Sequence, residues 1–163
     1  MSMFDDSFTV LIGNEGGYSN NPSDPGGETM WGVTARVARK HGYEGAMRDL
    51  PLATAKEIAK AEYWDAVRGD ELSPRLAFQL FDTCYNSGAE EAVMLLQRSL
   101  GIAADGRFGP ATMNAVKAFP DEDKLIGRLD AYRLLFMADL AGWPTFGKGW
   151  ARRIANNLLR AMA

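Results

Sequence analysis

Glu15 is the residue whose position first indicates chemistry. It follows Ile12 by three residues and Leu11 by four, so it continues the apolar face of a predicted first helix. We expect burial on that face, together with the unpaired carbonyls of the helix's last turn, to raise the pKa of its carboxyl group. A glutamic acid that keeps its proton near neutral pH is suited to general acid catalysis. The residues alone leave a second interpretation open, in which Glu15 neutralises a buried arginine or caps a loop.

The composition restricts the other chemistries that this chain can support. Cys84 is the single cysteine, so it has no internal disulfide partner, and His41 is the single histidine. These two residues are too few for a three-histidine or multi-cysteine zinc site, and we expect neither a metal nor a cofactor. A Ser-His-Asp or Cys-His enzyme would require His41, whose neighbours over residues 38–42 are typical of a short helix that ends at a glycine. Candidate catalytic groups are therefore sought among the 21 aspartates and glutamates.

The distribution of charge bears on the class of partner. The formal net charge is −3 and the pI is about 5.2, which argues against a nucleic-acid-binding protein. After Asp139 the sequence contains four basic residues and no acidic one. A solvated helix face is the commoner interpretation of such a segment. The alternative is a weak contact of residues 149–163 with an anionic membrane surface.

Most of the sequence has the periodicity of helices. A first helix is predicted to be capped by Asp5, Asp6 or Ser7 and to end at Gly16 and Gly17. Further helices are predicted over residues 34–41, from the capping-box pattern of Thr54 and Glu57 to about Val67, from Ser73 to Asn86, and over residues 89–100, 110–118, 120–140 and 149–161. Residues 18–34 are rich in turn formers and leave room for at most a small β-element. The sequence therefore predicts an all-α fold.

Several segments of the sequence carry a family resemblance. Residues 15–18, Glu-Gly-Gly-Tyr, and residues 21–34, NPSDPGGETMWGVT, resemble the signature of the glycoside hydrolase family 108 muramidases, which cut the glycan strands of peptidoglycan. Residues 82–88 resemble the Asp…Asn-x-Gly segment of the same family. Residues 96–112 are similar to the peptidoglycan-binding region that accompanies this catalytic module.

This resemblance implies an architecture for the chain. The expected fold is a lysozyme-like helical domain, which agrees with the all-α prediction. Residues 1–88 are expected to form the muramidase catalytic region, and residues 89–163 a helical peptidoglycan-binding region. The two regions are expected to pack as one compact unit, and the protein is expected to be a monomer.

The resemblance also implies which residues are catalytic. Glu15 matches the family's catalytic acid, which would act on the β-1,4 bond between N-acetylmuramic acid and N-acetylglucosamine. Asp24 follows Glu15 by nine residues and Thr29 follows five later, a spacing similar to that of phage-type lysozymes. Asp24 is the favoured second carboxylate and Thr29 would help to hold a water molecule. Glu28 competes with Asp24 for the role of second carboxylate. Asp24 could instead be purely structural, because the sequence Asp-Pro-Gly-Gly favours a turn.

Three residues are candidates for substrate contact. Tyr18 and Trp31 flank the predicted loop, and their rings are suited to lie against sugar faces, although a core position for Trp31 is an equally good interpretation. Asn86 is placed to hydrogen-bond an acetamido group, or else to end its helix before Gly88.

Two other functional classes remain open from the sequence. A lytic transglycosylase needs only one glutamate, and a non-catalytic protein that binds the wall or assists secretion needs none. The N-terminus lacks the features of a Sec-type signal, so we expect synthesis in the cytoplasm and action on the cell wall, in the periplasm, after release. The resemblance implies a holin or another release system as a partner, with peptidoglycan glycan strands as the substrate.

Overall fold

The computed structural model of the chain describes residues 2–13, 17–21 and 27–163. Packing divides the chain into two compact units, Met1–Ala66 and Val67–Ala163. The division therefore falls before the helix that contains Asp82, and not at the predicted boundary between residues 88 and 89. That boundary follows the sequence motifs and stays a prediction.

The first unit combines short helices with one small β-hairpin. Its described elements are α1 (Met3–Ile12), β1 (Thr29–Met30), β2 (Val33–Thr34), α2 (Ala35–Lys40), a 3-10 helix (Met47–Asp49), and α3 (Leu52–Ala59), which continues as a π-helical turn (Lys60–Trp64). The indole of Trp64 is fully buried and meets the ring of Phe4 edge-on, with 5.5 Å between ring centres. This aromatic contact joins the start of α1 to the end of the α3 segment.

The first helix differs at both ends from the prediction. It begins after Ser2, whose side chain accepts a hydrogen bond from the backbone of Asp5 while the Asp5 carboxylate accepts one from the backbone of Ser2. This reciprocal capping box satisfies the first free N–H groups, so the predicted caps at residues 5–7 were wrong. The helix ends at Ile12, three residues before Glu15, because Gly13 leaves the helical conformation. The prediction that Glu15 lies in the last helical turn falls outside the described residues.

The hairpin confirms the small β-element that was predicted within residues 18–34. Thr29 pairs with Thr34 and Met30 with Val33 in antiparallel register. The two turn residues both have positive φ, 53° for Trp31 and 75° for Gly32. Such a turn matches the right-handed twist of the strands, and it places a non-glycine residue in the left-handed region.

The second unit consists of helices in its described elements. They are a 3-10 helix (Gly69–Glu71), α4 (Pro74–Ser87), α5 (Ala89–Leu100), α6 (Pro110–Ala118), α7 (Glu122–Ala138) and α8 (Trp143–Ala161). Ser73 caps α4 through a hydrogen bond from the Leu76 backbone, with proline at the first helical position. Gly101 ends α5 in the left-handed conformation. These starts and stops follow the predictions closely, and the all-α, lysozyme-like fold class is confirmed.

Two helix starts differ from the predictions. The helix predicted from Thr54 begins instead at Leu52 after Pro51, so the Thr54–Glu57 pattern is not a cap. Helix α8 begins at Trp143 and not at residue 149. Its glycines resemble helix breakers, but a Cβ at Gly147 would come within 2.5 Å of the Trp143 indole, so the missing side chain makes room for that ring. None of the described helices is long and apolar enough to cross a membrane.

Candidate active site

The two carboxylates that were predicted to be catalytic, Glu15 and Asp24, lie outside the described residues. Tyr18, Thr29 and Trp31 are described and all belong to the first unit. Asn86 is also described and belongs to the second unit. In the first unit, what the structure describes of the candidate site is therefore the segments that flank residues 14–16 and 22–26 in the sequence.

Tyr18 is held at both its hydroxyl group and its ring. The hydroxyl donates a hydrogen bond of 2.9 Å to Oε1 of Glu28. The guanidinium carbon of Arg48 lies 4.4 Å from the centre of the Tyr18 ring, within the range of a cation–π attraction. Interaction with Tyr18 above all, and with Glu28 to a smaller extent, raises the pKa of Arg48. Three segments of the chain thus meet at Tyr18.

Thr29 ties the segment of Tyr18 to the hairpin. Its backbone N–H donates to the Ser19 carbonyl at 2.8 Å and its carbonyl accepts from the Ser19 N–H at 2.9 Å. Its hydroxyl donates to the carbonyl of Gly27 at 3.1 Å. The hydroxyl oxygen keeps acceptor capacity in this arrangement, because a threonine hydroxyl has two lone pairs.

Trp31 is half-buried at the tip of the hairpin. Its indole N–H donates a hydrogen bond of 2.9 Å to the carbonyl of Leu50, which follows the 3-10 helix. This bond fixes the ring although the residue has a positive φ, a conformation that is uncommon outside glycine. The structure therefore anchors Trp31 by one edge.

Arg48 and the hydrogen bond of Glu28 are features that sequence reasoning misses. Arg48 stands in a 3-10 helix well after the motif, and its neighbours do not distinguish it from the other basic residues. Glu28 is recognisable as a candidate carboxylate, but its Tyr18 partner is not apparent from a ten-residue separation. Only the folded hairpin shows which segments meet.

Asn86 lies in the last turn of α4 and is exposed. Its amide donates a hydrogen bond of 2.9 Å to the carbonyl of Asp82, one turn earlier in the same helix. This contact agrees with the interpretation that Asn86 helps to end the helix. Its contact with substrate stays a prediction.

Asp82 forms the centre of a buried polar cluster in the second unit. Its side chain is 2% exposed. One oxygen accepts from Arg133 and Asn157, both at 2.7 Å, and the other accepts from Arg153 at 2.7 and 2.9 Å. Asp82 thus links α4 to α7 and α8, and this motif residue has a structural role.

The cluster contains two aspartates whose pKa values move in opposite directions. Burial raises the pKa of Asp82, but the positive charges of Arg133 and Arg153 outweigh burial and hold it below its ordinary value. Asp130 is buried nearby on α7, and neither of its carboxyl oxygens has a hydrogen-bond partner in the described chain. Burial raises the pKa of Asp130 to about 7, despite the opposing charge of Arg133.

The loop between α5 and α6 is organised by the buried amide of Gln97. This amide donates to the carboxylate of Asp105 at 2.7 Å and to the hydroxyl of Thr112 at 3.0 Å. Its oxygen accepts from the backbone N–H of Gly106 at 2.9 Å. The motif over residues 96–112 therefore corresponds to the end of α5, the loop after it and the start of α6, which the hydrogen bonds of Gln97 join.

Within residues 2–13, 17–21 and 27–163, no three histidine, cysteine, aspartate or glutamate side chains are grouped to hold a metal ion.

Comparison with known proteins assigns both halves of the sequence. Residues 8–88 match the family model of glycosyl hydrolase 108, and residues 91–155 match that of a predicted peptidoglycan domain. Among solved structures, the chain is similar to Brucella abortus SagA, with a TM-score of 0.90 and 32% identity over 98% of this chain and 93% of that one. None of the curated proteins matches the chain.

The fold and these matches define a class of protein. An all-α chain with a glycoside hydrolase region and a peptidoglycan domain is a hydrolase that acts on peptidoglycan. The chain belongs to glycosyl hydrolase family 108.

Proposed function

We propose that this protein is an N-acetylmuramidase that hydrolyses the β-1,4 bond between N-acetylmuramic acid and N-acetylglucosamine. The observation that carries the proposal is the match of residues 8–88 to glycosyl hydrolase 108, which includes the Glu-Gly-Gly-Tyr motif. Hydrolysis of a glycosidic bond by a pair of carboxyl groups needs no metal and no other cofactor.

Glu15 is the proposed general acid. It would protonate the glycosidic oxygen as the bond breaks and positive charge develops on the sugar ring. This role requires that the carboxyl group be protonated when the substrate binds. The motif residue Tyr18, three positions later, is held by Glu28 and Arg48, which gives the segment after Glu15 a defined position.

Asp24 is the proposed second carboxylate, which would position water or balance the developing charge. The competing residue Glu28 already accepts the hydroxyl hydrogen of Tyr18 and lies in the field of Arg48. A carboxylate bound in this way is less free to reorient toward a water molecule. The contacts of Glu28 therefore favour Asp24, and the proposed role of Glu28 is to position Tyr18.

Thr29 is proposed to hold the water molecule. Its hydroxyl hydrogen is directed to the Gly27 carbonyl, so its oxygen is suited to accept a hydrogen bond from that water. Tyr18 and Trp31 are proposed to contact sugar faces, and both are anchored by a polar edge that leaves ring surface for contact. Asn86 is proposed to contact an acetamido group.

Release and location form part of this proposal. A muramidase made in the cytoplasm meets peptidoglycan only after it has crossed the membrane, so a holin or another release system is the implied partner. The protein is proposed to act as a monomer in the periplasm. A weak contact of residues 149–163 with anionic lipid is favoured by Arg152 and Arg160, both of which are exposed on α8.

Analysis of the products tests the proposal against the other enzyme class. Purified sacculi are digested with the wild-type protein, and the soluble fragments are identified by mass spectrometry. Hydrolysis predicts fragments with reducing-end N-acetylmuramic acid. Fragments with 1,6-anhydromuramic acid ends would show a lytic transglycosylase instead. Binding to sacculi without soluble fragments would identify a non-catalytic wall-binding protein.

A further inference from the structure

An exposed positive charge stands beside the proposed sugar-contacting residues. Arg48 is exposed, and its guanidinium lies 4.4 Å from the ring centre of Tyr18. The Tyr18 hydroxyl is bound to Glu28, so the ring that supports Arg48 is itself held in place. The indole of Trp31, bonded to the Leu50 carbonyl, lies on the same small assembly. Arg48 therefore belongs to an ordered surface.

Arg48 forms no ion pair within the described part of the chain. The described ion pairs of the first unit involve Lys40, His41, Lys56 and Lys60, and none includes Arg48. Glu28 and Asp49 both interact with the charge of Arg48 through space, and one oxygen of Glu28 accepts the hydrogen bond of Tyr18. A guanidinium presents several N–H groups in a fixed plane, and stacking on an aromatic ring leaves their edge open to an anion.

The chemistry of the substrate indicates which anion would meet Arg48. The glycan backbone of peptidoglycan has neutral N-acetylated sugars, whereas the stem peptides on N-acetylmuramic acid carry free carboxylates. An arginine edge matches a carboxylate with two parallel hydrogen bonds. We propose that Arg48 is a specificity residue that binds a carboxylate of the stem peptide next to the cleaved bond. This inference rests on the proposed muramidase function.

In this proposal Tyr18 has two functions, contact with a sugar and support of Arg48. Its ring contacts sugar by one part of its surface and supports Arg48 by another, while Glu28 sets its orientation. Substrates with acidic stems gain a charge-assisted contact that strands without stems, and with their lactyl carboxylates blocked as carboxamides, lack. The enzyme should therefore prefer strands that still carry their stems.

The test compares Arg48→Gln with wild type on two substrates. One is soluble glycan strands with stem peptides. The other is the same strands after an amidase has removed the stems and the lactyl carboxylates exposed by that cleavage have been converted to carboxamides. We expect Arg48→Gln to lower about tenfold the ratio of kcat/KM on stem-bearing strands to kcat/KM on stem-free strands, as for one charge-assisted contact. Equal losses on both substrates, or no loss on either, would overturn the proposal.

A matched control separates this contact from a general loss of positive charge. Arg39 is also exposed and lies over a tyrosine ring, with its guanidinium 5.7 Å from the ring centre of Tyr43. Arg39→Gln should leave the ratio of the two kcat/KM values at its wild-type level. A change in that ratio as large as that of Arg48→Gln would show that surface charge alone sets the preference, against the proposal.

A second measurement uses only the wild-type protein, so it does not depend on the folding of a variant. The stem carboxylates are converted to carboxamides and the strands are digested again. We expect kcat/KM to fall about tenfold on the amidated strands. Unchanged kcat/KM would contradict the role of Arg48. Failure of the wild type to release reducing ends from any of these strands would instead refute the proposed muramidase function.

Discussion

Glu28 and Asp24 show how neighbouring carboxylates can have different roles. Glu28 is bound to the Tyr18 hydroxyl, and its position depends on the hairpin that also carries Thr29. Asp24 lies before the hairpin, in the part of the motif that the family signature includes. The sequence narrows the choice of second carboxylate to these two residues, because they are the only acidic residues in the fifteen positions after Glu15. Only the Tyr18 contact gives a physical reason to separate them.

Replacement of each carboxylate by its amide tests this separation. We expect Asp24→Asn to lower kcat on sacculi by about a hundredfold or more, because removal of a catalytic carboxylate affects the transition state directly. Glu28→Gln keeps an oxygen that can accept from Tyr18, so its kcat should fall less than tenfold. The kcat of each variant is measured as the rate at which reducing ends are released from sacculi. The reverse order of the two losses would assign Glu28 as the second carboxylate.

Asp82 has a structural role that its motif did not predict. Its position within the apolar run Leu80–Cys84 is the sequence signal for burial, but its partners Arg133, Arg153 and Asn157 lie more than fifty residues away. Burial of a charge requires partners, so a buried aspartate predicts a basic residue nearby without saying which one. Local sequence patterns do not carry that information.

Asp82→Asn should destabilise the second unit. The change leaves Arg133, which is fully buried, without its countercharge, and such losses cost about 3–5 kcal/mol. Urea unfolding followed by circular dichroism measures the free energy. Asp123→Asn is the control, since Asp123 is 61% exposed in its pair with Arg75 and should cost less than about 1 kcal/mol. Equal losses for the two variants would contradict the structural role of Asp82.

At the scale of elements, caps and breakers predict most of the helix boundaries. Pro110 and Ala118 bound α6 as expected, and Ser73 caps α4. The start of α8 was missed because glycine has two opposite uses, to break a helix or to admit a bulky neighbour. Which use applies depends on packing, and at Gly147 the neighbour is Trp143. The turn at Trp31 was missed because it also depends on packing. The residue has an uncommon positive φ, and its indole N–H donates to the carbonyl of Leu50, nineteen residues later.

Two alanine substitutions in α8 separate these uses of glycine. Gly149 has open space around its Cα, so Gly149→Ala should stabilise the protein by about 0.5–1 kcal/mol through helix propensity. Gly147→Ala places a Cβ against the Trp143 indole and should destabilise by about 1–3 kcal/mol. Thermal unfolding checks the signs. A gain in stability for Gly147→Ala would show that Trp143 does not pack as described.

At the scale of the whole molecule, the chain combines a hydrolase region with a peptidoglycan domain. The core of the second unit contains two aspartates whose pKa values are shifted in opposite directions. Asp82 has a lowered pKa, so its contribution to stability is present above the pKa of the unfolded chain and is lost as pH falls. Asp130 has a raised pKa, and Arg133, Asp82 and Arg153 are the charged groups of the cluster around it. Because native Asp130 binds a proton more tightly than the unfolded chain, its contribution is lost as pH rises. Together these two aspartates place their joint maximum of stability near the ordinary pKa of an aspartate, about 4.

The stability of the second unit should therefore decrease as pH rises from about 4, the ordinary pKa of an aspartate, to about 7, the pKa of Asp130, and then level off. Asp130→Asn should flatten this dependence and stabilise the protein at pH 8, because it removes an uncompensated buried charge. Asp139→Asn, at the C-cap of the same helix, is the control. Because Asp139 is exposed, the stability of this variant should depend on pH as that of the wild type does. Urea unfolding across this pH range measures the slope. An unchanged slope in Asp130→Asn would contradict the assignment.

The most direct test of the central claim is reducing-end release from purified sacculi by Glu15→Gln. The side chain keeps its size but loses the proton that the mechanism needs, so the account predicts a correctly folded protein whose kcat falls by at least about a hundredfold. Glu44→Gln, at an exposed glutamate of the same unit, should retain wild-type activity. Wild-type levels of reducing-end N-acetylmuramic acid from folded Glu15→Gln would contradict the account.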